Sequence, residues 1–236
     1  MSGARAAVES GLAAARSQAR PVLALQVLVA LVVAAEFLSA DVDAFWRSAA
    51  AALDARGLPG VFVAAGLTSG LLAEAAVVAV HQHGRWRAGN TPAAGFRFVL
   101  FGVNAVLVSV FYRFQAAWFG DSSSWSVLLP KLAVDQLVFA PLVCLPLQLG
   151  ASRLQALGFD IRRLSAEVRG PFLRERYLPA LVTQWLFWPT VSLAIYSFPL
   201  AMQTPLFLLI GATWALLVVA LTRGPRPQPV AEPALS

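Results

Sequence analysis

Residues 58–80, LPGVFVAAGLTSGLLAEAAVVAV, form an apolar run in which Glu74 is the one charged residue. A helix needs about 20 apolar residues to cross a bilayer, so this run is long enough to span a membrane. Over the 236 residues of the chain, 58% are hydrophobic and only 13% are charged, whereas soluble domains carry about 25% charged residues. The composition therefore predicts a polytopic membrane protein built as one helical bundle.

Five further runs resemble this one in length and polarity. The predicted membrane-spanning helices lie at residues 22–40, 58–80, 96–118, 131–150, 177–199 and 202–222. None of the runs alternates apolar and polar residues as the strands of a membrane barrel do. We therefore predict an all-α fold, a transmembrane bundle of about six helices, with connectors at 41–57, 81–95, 119–130 and 151–176.

The positive charges test this arrangement, because cytoplasmic loops of membrane proteins carry an excess of Lys and Arg. With six crossings, fourteen of the 18 basic residues fall on one side of the membrane. The four on the other side are Arg47, Arg56, Arg113 and Lys131. This split predicts that both chain termini face the cytoplasm, or its equivalent compartment in an organelle.

The two ends of the chain differ from its middle. Residues 1–21 are small and Arg-containing, which predicts a basic leader before an extra N-terminal transmembrane helix at 22–40. Together these segments also resemble a signal sequence with a cleavage site at Ala40, although cleavage would spoil the charge split. Residues 41–222 form the predicted helical membrane domain. The Pro-rich tail 223–236 is predicted to be disordered.

One connector carries a helical pattern of its own. Ile161, Leu164 and Val168 fall on one helical face, and most of the residues between them are charged or polar. The pattern predicts an interfacial amphipathic helix lying in the lipid headgroup layer. The alternative is a solvated charged loop.

Three polar residues open the fourth run. Asp135 lies four residues after Lys131, and therefore on nearly the same helical face. A charge at the bilayer centre costs about 2.5–3.5 kcal/mol on insertion scales, and Lys131 can offset the charge of Asp135. Gln136 adds a neutral polar group beside it. Two interpretations stay open: these residues clamp neighbouring helices together, or they line a polar lumen.

The fifth run carries a polar pattern with a longer repeat. Thr183, Thr190 and Ser197 are spaced by seven residues and share one helical face, with Gln184 beside the first of them. This face is predicted to contribute to the same polar wall. The alternative is that the hydroxyl groups bond their own backbone, as Ser and Thr in helices often do.

Small residues predict close helix packing in the second run. Gly66 and Gly70 form a G-x-x-x-G motif, which lets neighbouring backbones approach each other. Glu74 continues the same spacing and is predicted to point into the bundle, where a carboxylate needs a partner or water. Asn104, in the third run, is predicted to hydrogen-bond to another helix.

Prolines interrupt two of the predicted helices. In the fourth run Pro141 and Pro146 lack the amide N–H, so the carbonyls one turn earlier, at Leu137 and Leu142, lose their donors. A membrane helix tolerates such prolines where neighbours or water satisfy the freed carbonyls. The prolines predict a bent helix that either opens a cavity or serves packing alone. The fifth run has a comparable break at Trp188-Pro189.

The sequence lacks the motifs of the common catalytic sites. It contains no P-loop, no dinucleotide-binding fingerprint and no nucleophile elbow. His81 and His83 have no acidic or cysteine cluster beside them, and Cys144 is the only cysteine. We therefore predict that the protein is not an enzyme and has no catalytic, cofactor-binding or metal-binding residues. Because the arginines lie between apolar runs, the predicted partner of the positive charge is the lipid bilayer and not nucleic acid.

Two blocks of sequence carry a resemblance to a known family. The first is Lys131-x-x-x-Asp135-Gln136-x-x-x-Ala140-Pro141, and the second is Tyr177 followed by Thr183-Gln184-Trp185 and by Trp188-Pro189. In this order and spacing, and with the preceding pair Phe111-Tyr112, the chain resembles the peroxisomal membrane protein PMP-twenty-two family, which includes the mitochondrial inner-membrane protein Mpv-seventeen. The likeness covers roughly residues 45–222. It departs from the family pattern at Leu72-Ala73, Ser192, Ile195 and Gln203.

The resemblance implies a small integral protein of the mitochondrial inner membrane or the peroxisomal membrane. Members of that family are proposed to form weakly selective pores, so we expect a small-solute channel, which can assemble as a homo-oligomer. The alternative is a non-conducting membrane scaffold or assembly factor in which the same polar residues join helices. A secondary transporter is disfavoured, because the two halves of the chain show no repeat.

Overall fold

Helices make up the regular structure of this chain. The computed structural model describes residues 38–169 and 172–221, together with seven of the residues from 23 to 35. Within these residues no β-strand is present, which confirms the all-α class for the described part. The α-helices are α1 (Ala40–Ala65), α2 (Leu72–His81), α3 (Asn90–Phe119), α4 (Trp125–Val134), α5 (Leu145–Ala156), α6 (Ile161–Arg169), α7 (Leu178–Tyr196) and α8 (Leu200–Leu221). Three π-helical segments lie at Gly66–Leu71, Asp135–Cys144 and Leu173–Tyr177.

Four continuous helical stretches are long and apolar enough to cross a membrane. They are Ala40–His81, Asn90–Phe119, Trp125–Ala156 and Leu173–Tyr196, and a shorter apolar stretch follows at Leu200–Thr213. These stretches coincide with five of the six predicted runs and are consistent with an integral membrane protein. The count of six stays a prediction.

Several predicted segments lie outside the described residues. The basic leader 1–21 and the Pro-rich tail 223–236 lie there entirely, and the run 22–40 does so for about half of its length. The extra N-terminal helix therefore stays a prediction.

A kink at Gly57 divides α1 into two parts. Gly57 has φ 58° and ψ −158°, a conformation that favours glycine because it has no side chain to clash with the backbone. Pro59 follows and further restricts the chain before it. The stretch 41–57, predicted as a connector, is therefore helical up to the kink, and it packs on the bundle through the buried Trp46. Because this stretch contains charged residues, it does not form an apolar run in the sequence.

The two glycines of the G-x-x-x-G motif lie against α3. A Cβ atom placed on Gly66 would lie 2.6 Å from ring carbons of Phe98, and one placed on Gly70 would lie 2.8 Å from the Phe98 Cα atom. Gly102 of α3 has the same relationship to Phe62, since a Cβ atom there would lie 2.6 Å from that ring. The glycines thus allow a close crossing of helices, because a larger residue at any of them would collide with the partner helix.

The apolar core of the bundle lies where α3, α7 and α8 meet. Its most completely buried members are Phe187, Val191 and Ile195 of α7, each at most 1% exposed. They pack with residues of the neighbouring helices, among them Val108, Tyr112, Met202, Leu206 and Ile210. This packing fixes the inward face of α7, on which part of the site described below is built.

Residues 161–169 form the helix α6 rather than a loop. Two of the residues on its predicted apolar face, Ile161 and Val168, are exposed. Glu167 on another face accepts two hydrogen bonds from Arg153 of α5, at 2.7 and 2.6 Å. Because this ion pair fastens α6 to the end of α5, the helix has a fixed place while its apolar residues stay uncovered by protein. Its location in the headgroup layer stays a prediction.

Candidate functional site

A cavity of about 420 Å³ lies inside the helix bundle. This volume falls within the range of roughly 300–1,000 Å³ that is typical of small-molecule sites. The polar residues that line it are Ser69, Asn104, Tyr112, Asp135, Gln136, Gln148, Thr183, Gln184 and Ser192. Five of the nine polar residues predicted from the sequence are therefore brought together here. The other four, Glu74, Lys131, Thr190 and Ser197, are not among the lining residues.

Asp135 and Gln136 form the polar centre of the cavity wall. Both are buried, at 8% and 6% exposure. The Nε2 group of Gln136 donates to Asp135 Oδ2 and to Ser192 Oγ, both at 3.2 Å. The bond to Ser192 joins the π-helical segment Asp135–Cys144 to α7. Ser192 was not among the predicted site residues, but it lies four residues after Trp188 and shares its helical face, which is the signal that could have found it.

A second polar pair contributes another part of the wall. Gln148 of α5 donates through Nε2 to Asn104 Oδ1 of α3, at 3.3 Å. This is an interhelical hydrogen bond of the kind predicted for Asn104. Gln148 was missed because it lies among apolar residues near the end of its run, where the sequence alone favours an interfacial position.

The predicted polar face of α7 is only partly directed at the cavity. Thr183 and Gln184 line it, although the Thr183 hydroxyl donates to Pro179 O of its own helix at 3.1 Å. Thr190 is exposed, and so is Ser197, whose hydroxyl donates to Leu193 O at 2.8 Å. A spacing of seven residues drifts by roughly 20° per repeat on a straight helix. Since Thr183 lies at the margin of the inward face, this drift turns the later two residues away.

Lys131 is buried but does not pair with Asp135. Its Nζ atom lies 4.0 Å from Asp121 Oδ1 and 5.9 Å from the centre of the Tyr196 ring. Its side chain is 1% exposed. Side chains on a helix lean toward the N-terminus, so Lys131 is directed toward the loop that holds Asp121 and away from Asp135. The predicted compensation of charge between the two residues is therefore wrong.

Glu74 forms a polar clasp away from the cavity. Its carboxylate is 3% exposed, accepts a hydrogen bond from Asn90 Nδ2 at 2.7 Å and lies 3.0 Å from Arg97 Nη1. Asn90 in turn accepts from the backbone N–H of Arg87 at 2.7 Å. The inward position expected for Glu74 is found, and the partner that it needs comes from the first two turns of α3. This clasp ties α2 to α3.

Two aromatic residues replace the donors that the prolines lack. In the π-helical segment Asp135–Cys144 the register is five residues, as shown by the bond from Leu145 N–H to Ala140 O. In this register Pro141 and Pro146 cannot donate to Gln136 O and Pro141 O, five residues earlier. The loss of donors predicted at Leu137 and Leu142 for an α-helical register stays a prediction. Gln136 O accepts from Trp185 Nε1 at 2.8 Å, and Pro141 O accepts from the Tyr177 hydroxyl.

The remaining predicted packing residues have different places. Trp188 lines the cavity, and its ring centre lies 6.2 Å from that of Phe207. Pro189 lies inside α7, which extends on both sides of it, and Pro146 lies in the first turn of α5, directly after the π-helical segment.

Few groups near the cavity can take part in metal or redox chemistry. In the part of the chain that the structure describes, no group of three or more His, Cys, Asp or Glu could hold a metal ion. Cys144 lines the cavity as a free thiol. What the cavity wall does offer is hydrogen-bonding groups and the carboxylate of Asp135 among apolar side chains.

Comparisons with known proteins add no family to this description. No protein-family model matches the chain, no curated protein matches it, and no solved structure matches it. The geometry of the cavity and its wall is therefore the basis for the functional conclusion.

Proposed function

We propose that this chain is an integral membrane protein that passes small solutes through the cavity at the centre of its bundle. The supporting observation is that polar side chains of α3, α5, α7 and the π-helical segment Asp135–Cys144 converge on one space of about 420 Å³. If they served only to join helices, they would fill this space with direct contacts. A polar wall gives a solute the hydrogen-bond partners that lipid cannot supply.

The membrane that fits best is the mitochondrial inner membrane or the peroxisomal membrane, on the resemblance of the Lys131–Pro141 and Tyr177–Pro189 blocks. Homo-oligomers belong to the same proposal. Expression of the full chain with a C-terminal tag, followed by fractionation and cross-linking, tests both statements.

The channel is tested by solute flux in liposomes that contain the purified protein. Ser192→Leu places an apolar side chain in the cavity wall and removes the partner of Gln136, so the flux of erythritol should fall several-fold. Thr190→Leu is the matched control, since Thr190 lies two residues away on the same helix but is exposed. Both variants must elute and melt like the wild type. Equal flux through wild type and Ser192→Leu would contradict the cavity as the path.

A non-conducting scaffold is the second candidate, and a specific observation favours it. Glu74, Asn90 and Arg97 form a polar clasp that joins helices without lining the cavity. Buried polar groups in this protein can therefore serve packing alone. Liposomes that stay tight to erythritol while the protein remains folded would favour the scaffold.

A further inference from the structure

The wall of the cavity carries a single carboxylate and no basic side chain. Among the described residues that line the cavity, Asp135 is the one Asp or Glu, and none is Lys, Arg or His. The other polar lining groups are amides and hydroxyls. The charge that the wall presents to a ligand is therefore negative or zero, and it is concentrated at Asp135.

Asp135 has no cation of its own within the described part of the chain. No Lys, Arg or His nitrogen lies within 4.0 Å of its carboxylate, and the nearest basic residue along its helix, Lys131, pairs with Asp121. The groups around its carboxylate are neutral: the amide of Gln136, at 3.2 Å, and the hydroxyls of Ser192 and Tyr196. A buried carboxylate without a counter-ion is strongly unfavourable, so an ionised Asp135 leaves a place for a cation inside the cavity.

Aromatic rings form a continuous part of the same wall. The ring centres of Tyr112 and Phe207 lie 6.3 Å apart, those of Phe207 and Trp188 lie 6.2 Å apart, and those of Trp188 and Phe187 lie 5.4 Å apart. All four residues line the cavity. Aromatic faces attract cations, and most strongly where water is excluded.

We infer that the cavity binds a small organic ammonium ion, with Asp135 as its counter-ion and the rings of Tyr112, Phe207 and Trp188 beside its alkyl groups. The inference deepens the proposed function, on which it rests, by naming the class of solute. An alkylated ammonium suits this wall, because its charge is spread over apolar groups that can contact the rings. A small inorganic cation instead needs several oxygen ligands to replace its water.

The first experiment measures binding to the full chain in nanodiscs by titration calorimetry. Choline is the probe, and 3,3-dimethylbutan-1-ol is its uncharged counterpart of nearly the same shape. We expect saturable choline binding that exceeds binding of the alcohol by at least about tenfold, because only choline carries a charge that the aromatic rings and the carboxylate attract. Equal binding of the two compounds, or binding of neither, would overturn the inference without the need for any variant.

Two isosteric variants locate the site. Asp135→Asn should weaken choline binding by at least about tenfold and leave binding of the alcohol unchanged. Asp54→Asn is the matched control, because its carboxylate is 77% exposed on α1 and lies outside the cavity lining. Choline binding that survives Asp135→Asn in a folded protein would place the cation elsewhere and overturn the assignment.

Binding in nanodiscs and flux in liposomes together separate this inference from the proposed channel. Erythritol flux without choline binding would leave the channel standing and remove the ammonium site. Choline binding without flux of choline or erythritol would leave the ammonium site standing and remove the channel.

An inorganic-cation site is tested by replacing sodium chloride with potassium chloride at equal ionic strength. This exchange should leave choline binding unchanged. Specific competition by potassium would show an inorganic-cation site instead.

Discussion

Trp185 donates its indole N–H to the main-chain oxygen of Gln136 at 2.8 Å, and this is the carbonyl that Pro141 leaves without a donor in a five-residue helical register. The side chain of Gln136 lines the cavity. Gln136 therefore connects this indole–carbonyl bond, which we call the brace, to the candidate site. Trp185 therefore stabilises the irregular backbone that positions Asp135 and Gln136. Irregular backbone inside a membrane bundle persists only where neighbouring groups satisfy it in this way.

The first prediction concerns this brace. Trp185→Phe keeps an aromatic ring but removes the donor, so the free energy of unfolding should fall by about 1–3 kcal/mol. Trp86→Phe is the matched control, since it removes an exposed bond to Thr91 and should change stability by less than about 0.5 kcal/mol. Reversible unfolding in mixed micelles measures both.

A double-mutant cycle separates the lost bond from lost packing. Pro141→Ala restores a backbone N–H to the segment, so it should recover part of the stability lost in Trp185→Phe. Strictly additive effects of the two substitutions would show that the indole bond does not replace the missing proline donor.

The second prediction tests the close helix crossing. Gly70→Ala places a methyl group 2.8 Å from the Phe98 backbone, and overpacking of this kind costs about 1–3 kcal/mol. Gly95→Ala is the control in the partner helix α3, because a Cβ atom there meets nothing within 4 Å. Thermal unfolding of the detergent-solubilised protein should show a lower midpoint for the first variant and an unchanged or higher one for the second. The reverse order would refute the crossing.

The third prediction concerns the clasp between α2 and α3. Glu74→Gln removes the charge that pairs with Arg97. The free energy of unfolding should fall by about 2 kcal/mol. This loss is smaller than is usual for a broken buried pair, because the Arg97 side chain is 35% exposed. Asp54→Asn breaks the exposed pair with Arg113 and should change stability by no more than about 0.5 kcal/mol. Erythritol flux should be the same in both folded variants, because neither residue lines the cavity.

The fourth prediction concerns pH and α6. The hydrogen bonds from Arg153 lower the pKa of the Glu167 carboxyl below its usual value of 4.5. A depressed pKa means that the pair stabilises the attachment of α6 above that value, and that this contribution is lost as the pH falls through the lowered pKa. A nitroxide at Ser165→Cys, in a Cys144→Ala background, should therefore become more mobile only in acid. Glu167→Gln should make the label mobile at neutral pH and remove the pH dependence. If the label were equally immobile in that variant, the Arg153–Glu167 pair would not be what attaches α6 to α5.

The candidate site could be predicted only in part from the sequence. The sequence alone indicates Asp135, Gln136 and Asn104, because a polar residue within a long apolar run is costly unless it has a polar partner. The sequence does not indicate which residue that partner is. The Ser192 and Gln148 partners lie 56 and 44 residues away along the chain, and only the packing of the helices brings them near.

By itself the sequence determined the all-helical class, the places of the apolar stretches and the glycine motif of the close crossing, because these follow from composition and local spacing. Three features were decided by the tertiary structure alone. Lys131 is directed toward Asp121, and Thr190 and Ser197 face away from the cavity. Trp185 and Tyr177 donate hydrogen bonds to carbonyls of the proline-containing segment of another helix. Those outcomes depend on the rotation and register of each helix against its neighbours. Such relationships are set by packing over the whole bundle, and no short stretch of sequence contains them.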